Sequence, residues 1–269
     1  PRPQLATAWS VSEDGLQYRF ELRRNVKWHD GQPFTAADVV YSIGLLKSAH
    51  PRGRTTFANL LESGAVDEHT VVLKLSKPAP YLLYALAAGE SPIVPRHIYD
   101  GKGDPLQNPN NRAPVGTGPF VFKEWVLGNY VGYVRNPNYW DSPKPYLDAL
   151  LVRVIPDGAA RAVAFETGEL DLGGSTPVSP LDLERFRSLP HLGQETRGYE
   201  YSPTLYGLEF NLDHPILKSP QVRKAIAHAV DPAVVLNVAW YGLGERTVSI
   251  VSPTLKRFYN DKVPTYPYD

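Results

Sequence analysis

A chain of 269 residues has room for one large domain or two of ordinary size, and at that length about 75% of the unfolded surface is buried, so a sizeable core is within reach. Lysine plus arginine and aspartate plus glutamate stand at 28 each, which removes any electrostatic argument for nucleic acid or an anionic membrane as partner. The absence of cysteine excludes a disulfide framework and thiolate metal sites, and no apolar run approaches the roughly 20 residues that cross a bilayer, so a water-soluble chain is expected.

Pro1 and Pro3 deny ladder donors, so the opening to Trp9 reads as loop or edge strand. Leu16, Tyr18, Phe20 and Leu22 then recur at every second position, with Gln17, Arg19, Glu21 and Arg23 between them, the period of a strand with one wet face. Asp30-Gly31 marks a turn, and Pro33 forbids a continuing central strand, so the chain reverses there. Thr35, three residues before Asp38, makes a capping-box-like start for a helix carrying Val39, Ile43 and Leu46 on one face. Pro51-Arg52-Gly53 breaks that pattern. The next strand expected is Thr70 to Leu75, after a turn at Asp67-Glu68-His69, and a short buried helix is expected from Tyr81 to Ala88, with Pro80 before it and Gly89 after it. Residues 101–112 are rich in Gly, Pro, Asn and Asp, a surface loop with a lobe boundary near its end.

Phe120 to Val126 and Tyr130 to Asn136, separated by Leu127-Gly128-Asn129, read as a hairpin. A strand from Leu150 to Ile155 leads to Asp157, which can cap a helix bearing Ala162, Val163 and Phe165 and closing at Gly168. That strand-to-helix step is typical of an α/β lobe. Leu181 to Leu189 reads as a short helix and Leu205 to Leu212 as a strand. Ser219-Pro220 opens a helix with Val222, Ala225, Ile226, Ala229 and Val230 on one stripe, and Asp231-Pro232 opens another that ends by Gly242. The tail from Ser252 carries no element of its own.

Of the residues that could carry chemistry, Trp28-His29-Asp30 is the most enzyme-like trio, because histidine beside a carboxylate can act as a general base or bind a metal. Adjacent strand residues point to opposite faces, however, so a turn anchored by Trp28 is the favoured reading. The other histidines, at 50, 69, 97, 191, 214 and 228, never recur at zinc-site intervals. Gly116-x-Gly118 lacks a third glycine and runs into Pro119, and Ser175 lacks the following glycine of a nucleophile elbow. No catalytic residue and no metal ligand is assigned, and no cofactor is expected. Tyrosine and tryptophan at 130, 133, 139, 140, 146, 199, 201 and 206 suit a pocket for varied small ligands, although most are packing residues by type.

The run from Trp9 to Ser42, W-S-V-S-E-D-G-L-Q-Y-R-F-E-L-R-R-N-V-K-W-H-D-G-Q-P-F-T-A-A-D-V-V-Y-S, resembles the signature of the family 5 extracellular solute-binding proteins, the peptide, dipeptide and nickel receptors of ABC importers. The resemblance continues at Gly116-Thr117-Gly118-Pro119-Phe120, Arg135-Asn136-Pro137-Asn138-Tyr139-Trp140, Thr167-Gly168-Glu169-Leu170-Asp171, Glu209-Phe210-Asn211 and Val222-Arg223-Lys224-Ala225-Ile226. It implies an α/β fold of the two-lobed periplasmic-binding-protein type (type II, cluster C), present in part: a fragment lacking the amino-terminal segment and most of the distal lobe. Residues 1–115 would be a small accessory lobe, 116–228 most of the main lobe and 229–269 the start of the distal lobe.

The function implied is capture of peptides or similar small polar solutes in an interlobe cleft and delivery to a membrane permease, by a monomer, with no catalysis and no nucleic-acid partner. The location implied is periplasmic or extracytoplasmic, with a lipid anchor as an option in the full-length protein. By the same resemblance Tyr206, Glu209 and Asn211 line the cleft, and Arg135 matches a position that can face an anionic ligand group; a salt bridge or bonds to loop carbonyls are the other reading of Arg135. The acidic residue that would take a peptide's amino terminus falls beyond Asp269. Two further readings are a metal-dependent hydrolase using His29 with other histidines, and a chaperone-like peptide-binding module without transport.

Overall fold

A computed structural model describes residues 1–87, 89–174, 177–198 and 204–269 of the chain. It divides into two compact units, Pro1–Val154 and Ile155–Asp269.

Unit 1 is built on an antiparallel four-stranded sheet in the order β1-β2-β4-β3, from β1 (Ala6–Val11), β2 (Gln17–Leu22), β3 (Leu60–Asp67) and β4 (Thr70–Leu75). The period-two pattern of β2 is realised side chain by side chain: Tyr18, Phe20 and Leu22 are buried while Gln17 and Glu21 are exposed. Opposite them on β4, Val71 faces Phe20 and Leu73 faces Tyr18, so the apolar halves of two strands meet on one face of the sheet. Strand β3 was not expected from the sequence. Leu60–Asp67 carries two acids and a glycine, its side chains alternate poorly, and two register irregularities interrupt its pairing with β4.

Helix α1 (Ala36–Ala49) packs its Ile43 and Leu46 into this sheet, and Phe34, Trp28 and Phe57 complete a core in which Phe34 and Ile43 are each 1% exposed. Burying side chains of that size contributes about 1.5–3 kcal/mol apiece. The rings of Trp28 and Phe34 meet edge to face with centroids 6.0 Å apart. Three one-turn helices follow: α2 (Gly53–Thr56), α3 (Leu82–Ala85) and α4 (Arg96–Tyr99). The helix expected over Tyr81 to Ala88 is therefore shorter than its apolar run. Tyr81 stands at its N-cap, Leu82 alone among its residues is buried, and Ala88 lies outside the described residues.

A second, three-stranded antiparallel sheet in the order β5-β6-β7 consists of β5 (Phe120–Val126), β6 (Tyr130–Arg135) and β7 (Ala149–Arg153). The hairpin expected between β5 and β6 forms, with Gly128 at φ +75° in its turn.

In unit 2, α5 (Gly158–Glu166) starts as the sequence indicates, with the Asp157 carboxylate accepting the Ala160 N–H at 2.7 Å. It buries Ala162, Ala164 and Phe165, whereas Val163 is 53% exposed; helical spacing turns it away from Phe165 and puts Ala164 inside. Phe165 packs edge to face on Phe186 of α6 (Pro180–Arg187). Helices α7 (Pro220–Ala229) and α8 (Pro232–Trp240) each begin with proline in the first turn, as expected, but no residue of either is buried. The strand expected from Leu205 to Leu212 is not present. Leu205, Tyr206, Leu208 and Leu212 are exposed and Phe210 is half-buried, and no ladder partner for the segment exists among the described residues; a strand requires one. No helix among the described residues is long and apolar enough to cross a membrane.

Candidate ligand-binding surface and the motif junction

The sequence motifs that lie far apart along the chain come together in unit 1. Beyond Val26 the W-H-D-G run forms a tight reversal: Lys27 bridges Pro33, the Trp28 N–H donates to the Gln32 carbonyl at 2.8 Å, and Gly31 adopts φ +88°, a backbone that favours glycine. Trp28 is 2% exposed, the anchor expected of it. His29 and Asp30 diverge, as their strand-like spacing implied. The His29 ring turns toward the G-T-G-P segment: the Gly116 N–H donates to His29 Nδ1 at 3.1 Å, and His29 Nε2 lies 3.0 Å from the Gly118 carbonyl oxygen. The backbones pair as well, the His29 N–H donating to the Gly116 carbonyl at 2.8 Å.

The Gly118 carbonyl also accepts from Asn136 Nδ2 at 2.9 Å, and the Asn136 N–H donates to the Pro119 carbonyl at 2.9 Å. Asn136 is 5% exposed. Four residues on, the Trp140 ring receives the Arg23 guanidinium at 4.2 Å from its centroid. Three motifs thus form one junction between the two sheets of unit 1. Both ring nitrogens of His29 thus lie against backbone groups, and nothing in this geometry supports a hydrolase centred on this residue.

Asp30 pairs instead with His97 of α4, Oδ2 to Nε2 at 2.6 Å. Next to that pair is an open depression of ≈ 460 Å³ whose lining includes Gln32, Thr35, Asp38, Arg96, Asp100 and Lys102. Asp38, 4% exposed, is among its lining residues; its Oδ2 accepts the Thr35 N–H at 2.9 Å and the Trp28 Nε1–H at 3.4 Å, and its Oδ1 accepts the Arg96 N–H at 2.9 Å. The cap expected at Thr35 and Asp38 is therefore also the tie that holds α4, 58 residues away. Sequence reading saw the first role and had no signal for the second.

Of the four candidate ligand residues, Arg135 ends β6. Its Nη2 donates to the Tyr146 carbonyl at 2.9 Å and pairs with Asp148 Oδ1 at 2.6 Å, and its Nε donates to the Leu147 carbonyl at 3.2 Å. Both partners of the alternative reading, the salt bridge and the loop carbonyls, are thus present. Tyr206, Glu209 and Asn211 are all exposed on one irregular segment of unit 2. The Asn211 side-chain oxygen accepts the Asp213 N–H at 3.0 Å, an Asx turn. The Tyr206 ring lies against Trp240 at the end of α8, centroids 4.4 Å apart. Trp240 was not singled out from the sequence; the signal available was a tryptophan just before the helix-closing Tyr241-Gly242 pair, both of which have positive φ. Tyr199 and Tyr201 of the aromatic candidates, and Ser175, lie outside the described residues.

The family model for bacterial extracellular solute-binding proteins, family 5 Middle, matches residues 1–269. The chain belongs to that family. It is 30% identical to heme-binding protein A of Haemophilus influenzae, covering 99% of this chain and 51% of that protein. It is 31% identical to a probable di/tripeptide-binding protein 5 of Pseudomonas aeruginosa, covering 99% and 53%. Among solved structures, the ABC transporter-associated periplasmic binding protein DppA from Helicobacter pylori, in complex with peptide STSA, superposes with a TM-score of 0.82 at 28% identity over 100% of this chain and 55% of that one. The family 5 chain described here is therefore mixed α/β with the type II periplasmic-binding-protein fold, and it spans about half the length of the curated relatives it matches.

Proposed function

We propose that this chain is part of the substrate-binding component of an ABC importer, which captures peptides or similar small polar solutes in a cleft between lobes and delivers them unchanged to a membrane permease. The observation that carries the reading is the family match along all 269 residues, supported by the likeness to a peptide-bound receptor at a TM-score of 0.82. In this reading residues 1–115 are the accessory lobe, 116–228 most of the main lobe and 229–269 the start of the distal lobe. The receptor works outside the cytoplasm as a monomer, with a lipid anchor as one way of keeping it near its permease.

The mechanism is a population shift. A solute that touches both walls of the cleft binds the closed form better than the open one, and that difference in affinity alone drives closure. Tyr206, Glu209 and Asn211 offer one wall an aromatic face, a carboxylate and an amide on a segment free of ladder constraints; Trp240, stacked on Tyr206, extends the aromatic face. Arg135 takes part by exchanging its Asp148 partner for an anionic ligand group, since a guanidinium held by two carbonyls is already oriented for a carboxylate. No bond of the solute is made or broken.

Thermal denaturation of the receptor-length protein with a panel of di- and tripeptides tests this. A ligand at 100 times its Kd stabilises the native state by about 2.7 kcal/mol, and a raised Tm with at least one peptide is expected. A protein whose Tm no member of the panel moves would overturn the reading. Unimpaired peptide uptake on deletion would instead favour a chaperone-like role.

A further inference from the structure

We infer that His29, in its neutral Nε2–H tautomer, is a positioning residue that pins the three-stranded sheet of unit 1 to the four-stranded one. The donor at Nδ1 is the Gly116 N–H, which has no other role to play, so Nδ1 must present a lone pair. The partner at Nε2 is a carbonyl oxygen, which only accepts, so Nε2 must carry the proton. One ring therefore reads a donor and an acceptor two residues apart in the G-T-G-P turn and fixes both. The Gly118 carbonyl that it engages is shared with Asn136 Nδ2, so the pin reaches β6 and the Arg135 that ends it.

Glycine at 116 follows from the same geometry. A Cβ there would lie 3.3 Å from His29 Cε1, tighter than most side-chain contacts, so a side chain at 116 would push the imidazole by a few tenths of an ångström against its two bonds. Packing also contributes at the junction: Val115 and Trp140 lie against the core of the four-stranded sheet, and Arg23 covers the Trp140 ring. Packing there supplies area but no direction, whereas the His29 ring bonds, acting with the His29 N–H to Gly116 carbonyl bond, set register. The inference concerns unit 1 alone and does not depend on the ligand.

The test is made on the 269-residue chain. A long-range proton–nitrogen NMR spectrum should show His29 protonated at Nε2 only, with Nδ1 in the shift range of a bare acceptor; an Nδ1–H tautomer would overturn the inference. His29→Phe keeps the shape and removes both bonds, and should speed amide exchange at Gly116 by about tenfold or more and move the Asn136 side-chain amide resonances. His29→Asn, which retains an acceptor near Nδ1, should restore protection at Gly116, and His29→Gln, which retains a donor near Nε2, should restore the Asn136 signals. Gly116→Ala acts on the same pin from the other side, so combining it with His29→Phe should add little to either alone. Unchanged Gly116 exchange in His29→Phe, or full additivity of the two changes, contradicts the pin. If His29→Phe does not fold, the wild-type tautomer and the two amide variants decide the matter.

Discussion

Replacing Asp38 by alanine tests how unit 1 is held together. The carboxylate is 4% exposed and makes no salt bridge among the described residues: the guanidinium of Arg96 is turned to Asp100, and what Asp38 binds is the Arg96 backbone. Two well-formed N–H bonds, from Thr35 and Arg96, are lost on truncation, and each is worth about 1.5–3 kcal/mol when the acceptor is charged. Removing a buried charge returns part of that sum, so a net loss of about 3 kcal/mol is expected. For a unit of this size that corresponds to a fall in Tm of about 6–12 °C. Asparagine should not rescue. Oδ1 faces the Arg96 N–H and Oδ2 faces the Thr35 N–H, so either orientation of an amide points its NH₂ at a donor. Urea unfolding followed by tryptophan fluorescence and circular dichroism measures both variants. A loss below about 1 kcal/mol for alanine, or near-wild-type stability for asparagine, would refute the reasoning.

Other outcomes follow from close contacts and turns. In Gly53→Ala the new Cβ would fall 1.8 Å from the Leu46 carbonyl oxygen at the end of α1, a clash with backbone that cannot be relieved by a rotamer, so a loss of more than about 2 kcal/mol is expected in the same urea assay. Asp14 and Asp67 shape the turns before β2 and β4. The Ser12 hydroxyl and then the Leu16 N–H hold the Asp14 carboxyl below its ordinary 3.8; the His69 N–H and then the Thr70 side chain do the same for Asp67. Because the folded values are depressed, the turns are fully supported above the ordinary value and lose that support as pH falls through the folded one. Amide exchange at Leu16 and His69 should gain protection loss as pH drops below about 4, after correction for intrinsic rates, and Asp14→Asn should flatten the response at Leu16. A pH-independent protection factor in the unmodified chain contradicts this.

How much of this was legible in the sequence depends on how local the cause was. The β2 alternation, the Thr35 start of α1, the β5–β6 hairpin and the Asp157 cap are set by residues within a few positions of one another, and all form. Strand β3 escaped because its place is fixed by β4, not by its own composition: Glu62, Gly64 and Asp67 are tolerated on the outermost strand of the sheet, where side chains stay wet. The Leu205 to Leu212 segment failed in the opposite sense. Its residues suit a strand, but the ladder that would hold one has no second member among the described residues.

The junction shows the same limit at longer range. His29, Gly116, Gly118 and Asn136 could each be read as turn or loop residues, but nothing in their spacing indicated that one imidazole would meet two glycines 87 and 89 positions away. Tyr206, Glu209 and Asn211 are brought together by the family resemblance of their segment, and Trp240 joins them only through a fold-dependent ring contact.

The most direct test of the receptor account is isothermal titration of the receptor-length protein with short peptides, followed by recovery of the peptide from the cell. The account predicts saturable one-to-one binding of at least one peptide, with a negative heat-capacity change as the cleft closes, and peptide returned intact. No binding heat across the panel, or peptide returned cleaved, would contradict it.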